Sequence, residues 1–119
     1  MKTCFILCVG VIGLTLSACS KANASELDPS NPLHCGGQFQ AYAFIAKQQG
    51  DDLKEKGFVL RAAWYGERAR SLAAELTPEA RIELADRIAS APDGGLALAT
   101  ACLKRQEADP DWQRLIHTK

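Results

Sequence analysis

Three prolines mark out this chain. Asn31-Pro32, Thr77-Pro78 and Asp109-Pro110 each place a proline one residue after a side chain that can cap a helix. At the first helical position the missing N–H of proline costs nothing, and Asn, Thr or Asp just before it accepts an orphan backbone N–H. The spacing therefore predicts helix starts at positions 32, 78 and 110. Ala91-Pro92-Asp93-Gly94 reads as a turn into a further helix, with Asp93 as its cap. Gly50, after Lys47-Gln48-Gln49, reads as a helix stop, and Asp52 with Glu55 resembles a capping box. No stretch sustains period-two alternation, and β-branched residues are scarce after Ser25. The expectation is an all-α fold.

Helical periodicity fills in the segments between these marks. Cys35, Phe39, Tyr42 and Ala46 follow a 4-3-4 spacing, widened by Phe44 and Ile45, so the first helix is expected to be the most enclosed. Phe58, Ala62, Tyr65, Ala69, Leu72 and Leu76 alternate steps of four and three, flanked by Leu60 and Trp64. Gly57 weakens the front of that helix by about 1 kcal/mol, so its start falls at Asp52 or at Phe58. Ile82, Ala85, Ile88 and Ala89 are expected to form the inner face of a third helix, and Leu96, Ala99, Cys102 and Leu103 that of a fourth. Trp112, Leu115 and Ile116 make a short apolar clip at the C-terminus. Short connections favour antiparallel neighbours. The expected architecture is four antiparallel helices, each beside the next, plus a short C-terminal helix.

The segment before this domain reads differently. Met1-Lys2-Thr3 carries one positive charge, and residues 4–18 (CFILCVGVIGLTLSA) carry none. That run falls short of the roughly 20 apolar residues a membrane-spanning helix needs, and it has the length and flanks of a signal-peptide core. Leu16-Ser17-Ala18-Cys19 resembles the lipobox of bacterial lipoproteins. The resemblance covers residues 1–19 alone. It implies a diacylglyceryl group on the Cys19 thiol, cleavage just before it and acylation of the new terminus. Ser20, standing where Asp would signal retention in the inner membrane, implies the outer membrane. Acyl chains contribute about 0.8 kcal/mol per buried methylene, so several of them anchor a protein stably. Residues 20–31 (SKANASELDPSN) are polar, as a flexible tether would be. The competing reading is cleavage after Ala22-Asn23-Ala24, an A-x-A site that would release a soluble periplasmic protein starting at Ser25. The domain reading is thus a signal peptide over 1–18, a lipidated Cys19 and tether over 19–31, and a helical domain over 32–119.

Export simplifies the cysteines. Of five, Cys4 and Cys8 leave with the signal peptide and Cys19 is lipidated or removed. Cys35 and Cys102 remain, 67 positions apart, and in an oxidising envelope a disulfide is their default state. In a four-helix bundle the start of the first helix and the later half of the fourth lie at the same end, which agrees with that pairing.

Composition and motifs then exclude function classes. Fourteen basic and fourteen acidic side chains balance at net charge +0, which removes the basic stripe that nucleic-acid binding needs. Haem attachment needs C-x-x-C-H, whereas the order here is His34-Cys35-Gly36-Gly37. His34 and His117 are the only histidines and lack ligand spacing, so no metal or cofactor is expected. There is no G-x-S-x-G and no P-loop, so no catalytic residues are assigned and the expectation is a non-enzyme. In Trp64-Tyr65-Gly66-Glu67-Arg68-Ala69-Arg70 the aromatics read as core and Glu67, Arg68 and Arg70 as the wet face, with a cation–π or anion-binding patch as the alternative. Leu103-Lys104-Arg105-Gln106-Glu107 reads as a polar helix end.

A small exported helical domain with one disulfide and Ala101-Cys102 followed by an acidic-aromatic tail, Asp109 to Trp112, looks like the periplasmic acid-stress chaperones, which expose apolar surface as they loosen at low pH. That is an analogy of architecture and assigns no function. The functional expectation is an envelope lipoprotein, membrane-bound through its lipid, whose helical domain binds or supports a protein partner. The alternative is a soluble periplasmic chaperone or inhibitor.

Overall fold

The computed structural model describes residues 27–118. These form six α-helices: α1 (Pro32–Gln48), α2 (Asp52–Arg68), α3 (Arg70–Ala74), α4 (Pro78–Ala89), α5 (Leu96–Glu107) and α6 (Pro110–His117), with a 3-10 turn at Pro92–Gly95 before α5. No strand occurs among the described residues. No helix among them is long and apolar enough to cross a membrane.

The three helix starts expected before a proline carry their caps, whereas Asp51 takes the place of Asp52 at the N-cap of α2 and Gly95 that of Asp93 at α5. Asn31 accepts the Leu33 N–H at 2.9 Å, Thr77 that of Ala80 at 3.1 Å, and Asp109 that of Asp111 at 2.8 Å. A cap of this kind is worth about 1 kcal/mol. Asp93 accepts the Leu96 N–H at 3.2 Å, although it sits in the turn with φ at 50°. The cap of α2 is Asp51, which accepts from Lys54, so α2 begins at Asp52 and Gly57 lies inside it. Gly50, with φ at 74°, ends α1: its N–H reaches Lys47 O and the Asp51 N–H reaches Ala46 O. That pair of bonds is a Schellman closure, which needs a left-handed residue at this position. It turns α2 back antiparallel to α1.

Four expectations are corrected. The second apolar run is not one helix. At Ala69 the backbone turns to φ −94°, ψ 1°, and the chain bends into α3. The pattern survives because a bend changes the direction of the axis and leaves the residue spacing alone. Beyond it Leu72 points outward, 41% exposed. Second, Phe44 and Ile45 do not widen the buried stripe of α1; they are 60% and 46% exposed. Third, Ile82 of α4 is 64% exposed, and Leu84 lies on the inner side with Ala85, Ile88 and Ala89. Fourth, Ala99 and Cys102 of the expected α5 face are buried, but Leu96 and Leu103 face outward and Leu98 and Gln106 are buried in their place.

The arrangement of neighbours also differs from a ring of four. α1 is a hub, packed extensively on α2 and also against α4 and α5. Two adjacent glycines allow this. A Cβ at Gly36 would touch Tyr65 Cβ of α2 at 3.4 Å, and one at Gly37 would collide with Ile88 Cδ1 of α4.

Cys35 and Cys102 form a disulfide that joins α1 to α5 across a Cα–Cα distance of 5.7 Å, and both are fully buried. Around it runs a ladder of rings. Phe39 stacks on Phe58 at 6.1 Å and on Tyr65 at 6.0 Å, while Tyr42 meets Phe58 edge-on at 5.4 Å. Trp64 meets Tyr65 at 5.0 Å and Trp112 of α6 at 6.0 Å, both edge-on. Of the eight aromatics in the sequence, six join this ladder, each favourable beyond simple area burial by about 0.5–1.5 kcal/mol per pair.

Candidate functional site

The small residues that let α4 approach α1 leave a groove beside them. It encloses about 600 Å³ between α1, α2, α3 and α4. Gly36, Gly37 and Ala41 of α1, Ala62, Gly66 and Ala69 from the α2 side and Ala73 of α3 make one wall. Leu84, Ala85, Ile88 and Ala89 of α4 make the other. Leu33 and Phe44 bound it along α1. Among the described residues Arg81 is its only charged lining residue, and Nη2 of that guanidinium donates to Ala73 O at 2.8 Å. The surface presented is therefore apolar and shallow-walled, suited to an apolar chain or to the close approach of another backbone.

Gly66 stands out within it. A helix-interior glycine costs about 1 kcal/mol relative to alanine, yet nothing lies within 4 Å of where its Cβ would be. Packing within the chain does not require glycine there. Its absence of a side chain keeps the groove open.

On the other side of α1 most polar groups are committed, although Gln38 Oε1 is buried without a hydrogen-bond partner among the described residues. Gln106 is fully buried, accepting from Arg61 Nη1 at 2.6 Å and donating to Arg61 O at 3.3 Å. Arg61 also pairs with Glu107 at 2.7 Å and lies over the Trp112 ring at 4.8 Å. The hydrogen bond from Arg61 holds the Glu107 carboxyl below its usual range. Tyr65 donates to Cys102 O at 2.6 Å, and burial pushes its phenol up. Tyr42 donates to Gly94 O at 2.9 Å, and the Gln38 carboxamide, 2% exposed, packs so closely on Gly95 that a Cβ there would collide with it. Gly95, with φ at 78°, is thus fixed by both conformation and space.

The residues singled out from sequence fall as follows. Trp64 and Tyr65 are core, as expected, but Arg68 is not simply wet: its guanidinium lies 3.4 Å from the Trp64 ring centroid. Arg70 is exposed and pairs with Glu67 at 2.6 Å. His34 Nδ1 accepts the Asp28 N–H at 2.8 Å, whereas His117 Nδ1 is engaged with Gln113 O at 2.8 Å, so each imidazole has a local partner. No group of three or more His, Cys, Asp or Glu able to hold a metal occurs among the described residues. Cys19 and the tether before Leu27 lie outside the described residues. Sequence reasoning missed Gln38, Gln106 and Gly66; a glycine inside an otherwise intact helical stripe was the one available signal for the groove.

No protein-family model, curated protein or solved structure matches this chain.

Proposed function

We propose that the protein is an exported cell-envelope lipoprotein, anchored through Cys19 in the outer membrane and facing the periplasm, whose helical domain is a non-enzymatic binding module. The groove between α1, α2, α3 and α4 carries the reading: about 600 Å³ of mostly apolar, small-residue wall, kept open at Gly66. Its occupant would be an apolar segment of a protein partner, because glycine and alanine walls permit a second helix to approach closely and Arg81 leaves no strong charge requirement. The buried Cys35–Cys102 bond supports an oxidising compartment, where such bonds persist.

Two measurements test it. Membrane fractionation and acyl labelling should lose the protein from the membrane in Cys19→Ser; unchanged behaviour, or an intact mass with an unmodified Ser25 terminus, overturns the anchor and favours the soluble form. A photocrosslinking residue at Ala73 or Ala85 should capture one discrete partner in intact envelopes, and Gly66→Trp should abolish that product. The same products from Leu53, which is 84% exposed and outside the groove, would overturn the site.

A further inference from the structure

A second cleft, about 450 Å³, lies where residues 27–31 pass across α2 and the end of α5. It shares only Pro32 with the groove, and its walls combine apolar body with positive charge. Pro29, Pro32, Trp64 and Ala108 supply the apolar surface, and Arg68 and Arg105 supply the charge.

The state of its hydrogen-bonding groups sets what would fit. Ser30 gives its hydroxyl and its N–H to the Asp28 carboxylate, at 2.8 and 2.9 Å. Tyr65 gives its hydroxyl to Cys102 O. The Asp109 carboxylate is occupied in capping α6. Arg68 lies over the Trp64 ring, donating to Trp64 O at 3.2 Å and to Asp111 at 3.3 Å. Arg105 differs: it makes no hydrogen bond or ion pair among the described residues. The unspent polar capacity of the wall is thus a guanidinium fork, whose geometry suits a carboxylate.

We propose that this cleft binds a small organic acid, with its carboxylate on Arg105 and its apolar body against Pro29, Pro32 and Trp64. The volume falls within the usual range of small-molecule sites. Asp109 in the wall repels a second negative charge, so a monoanionic carboxylate is preferred to a phosphate dianion. A lipid phosphate would share the anionic head but brings a bilayer with it.

The test is an NMR titration of the purified, disulfide-intact protein with octanoate. The Trp64 indole N–H and Arg105 Nε–H resonances should move together while the Ala85 and Ala89 amides of the groove stay still. Octyl phosphate and 1-octanol should each bind more weakly. Arg105→Gln should weaken octanoate by about tenfold, the loss expected for a charge-assisted hydrogen bond, with Arg105→Lys between the two. Arg105 is exposed and makes no hydrogen bond or ion pair among the described residues, so these variants should keep a melting point close to the parent's. Equal binding of 1-octanol, shifts confined to the groove, or an unchanged Arg105→Gln overturns the proposal. So does movement of these signals by phosphatidylglycerol vesicles and not by octanoate, which would make the cleft a lipid-surface contact.

Discussion

The two sides of α1 are built to different standards. Toward α2, α5 and α6 lie the disulfide, the aromatic ladder and the Arg61–Gln106 network, and every one of those helices contributes buried side chains. On the other side, α3 and α4 themselves contribute no buried residue. α4 rests on α1 through Ile88 against Gly37 and leaves Ile82 in solvent. Dense packing fixes one arrangement, whereas an element with few buried contacts opens at lower free energy than the whole domain. The difference teaches a division of labour: one side supplies stability, and the other presents an apolar surface that a partner can cover.

Breaking the packed side should have the largest effect. The disulfide closes a loop of 67 positions, for which chain entropy gives about 4 kcal/mol. Cys35→Ser should melt well below the parent, and reductant should lower the parent's melting point to a similar extent while leaving the variant unchanged. Equal melting curves after reduction confirmed by mass spectrometry would contradict this.

Next comes a pair of substitutions placed on the two sides. Gln106→Leu strips a fully buried amide from Arg61 and should cost about 1–3 kcal/mol in denaturant unfolding. Ile82→Ser on α4 should stay within about 0.5 kcal/mol of the parent. Similar losses for both would erase the contrast. Gly66→Ala, by the open space around it, should raise stability by up to about 1 kcal/mol while narrowing the groove.

The smallest effect is one of pH. Burial, and then the positive charge of Arg87, hold the His34 imidazole below its ordinary 6.5, with Asp28 pulling the other way. A depressed histidine means the folded state favours the neutral ring, whose Nδ1 accepts the Asp28 N–H. That contribution is complete above the unfolded pKa of 6.5 and is lost as pH falls through the lower folded value. Melting points taken from roughly pH 8 down to pH 5 should decline in the parent across this window. His34→Asn, which keeps an acceptor and does not titrate, should remove that part of the decline.

Much of this fold was legible in the sequence, for identifiable reasons. Asn31, Thr77 and Asp109 announce their helices because capping is local chemistry between residues two or three apart, whereas Asp93 sits in the turn and Gly95 takes the N-cap position of α5. Cys35 and Cys102 pair as expected once the N-terminal cysteines are set aside. The inner faces of α4 and α5 were less legible. Periodicity places Leu96 and Leu103 on a stripe, but the neighbours of α5 select the adjacent one, which carries Gln106. A glutamine reads as polar surface until Arg61, 45 residues earlier, is known to stand opposite it. The groove was hidden for a similar reason. Its walls come from four helices, and only the tertiary approach at Gly36 and Gly37 brings them together.

Native-state hydrogen exchange of the disulfide-intact protein tests the division between the two sides most directly. The amides of residues 82–89 in α4 should exchange through a local opening of distinctly lower free energy, insensitive to denaturant. Those of residues 36–46 in α1 and 99–105 in α5 should exchange only with global unfolding. Uniform protection, with α4 opening only when α1 does, would contradict the account.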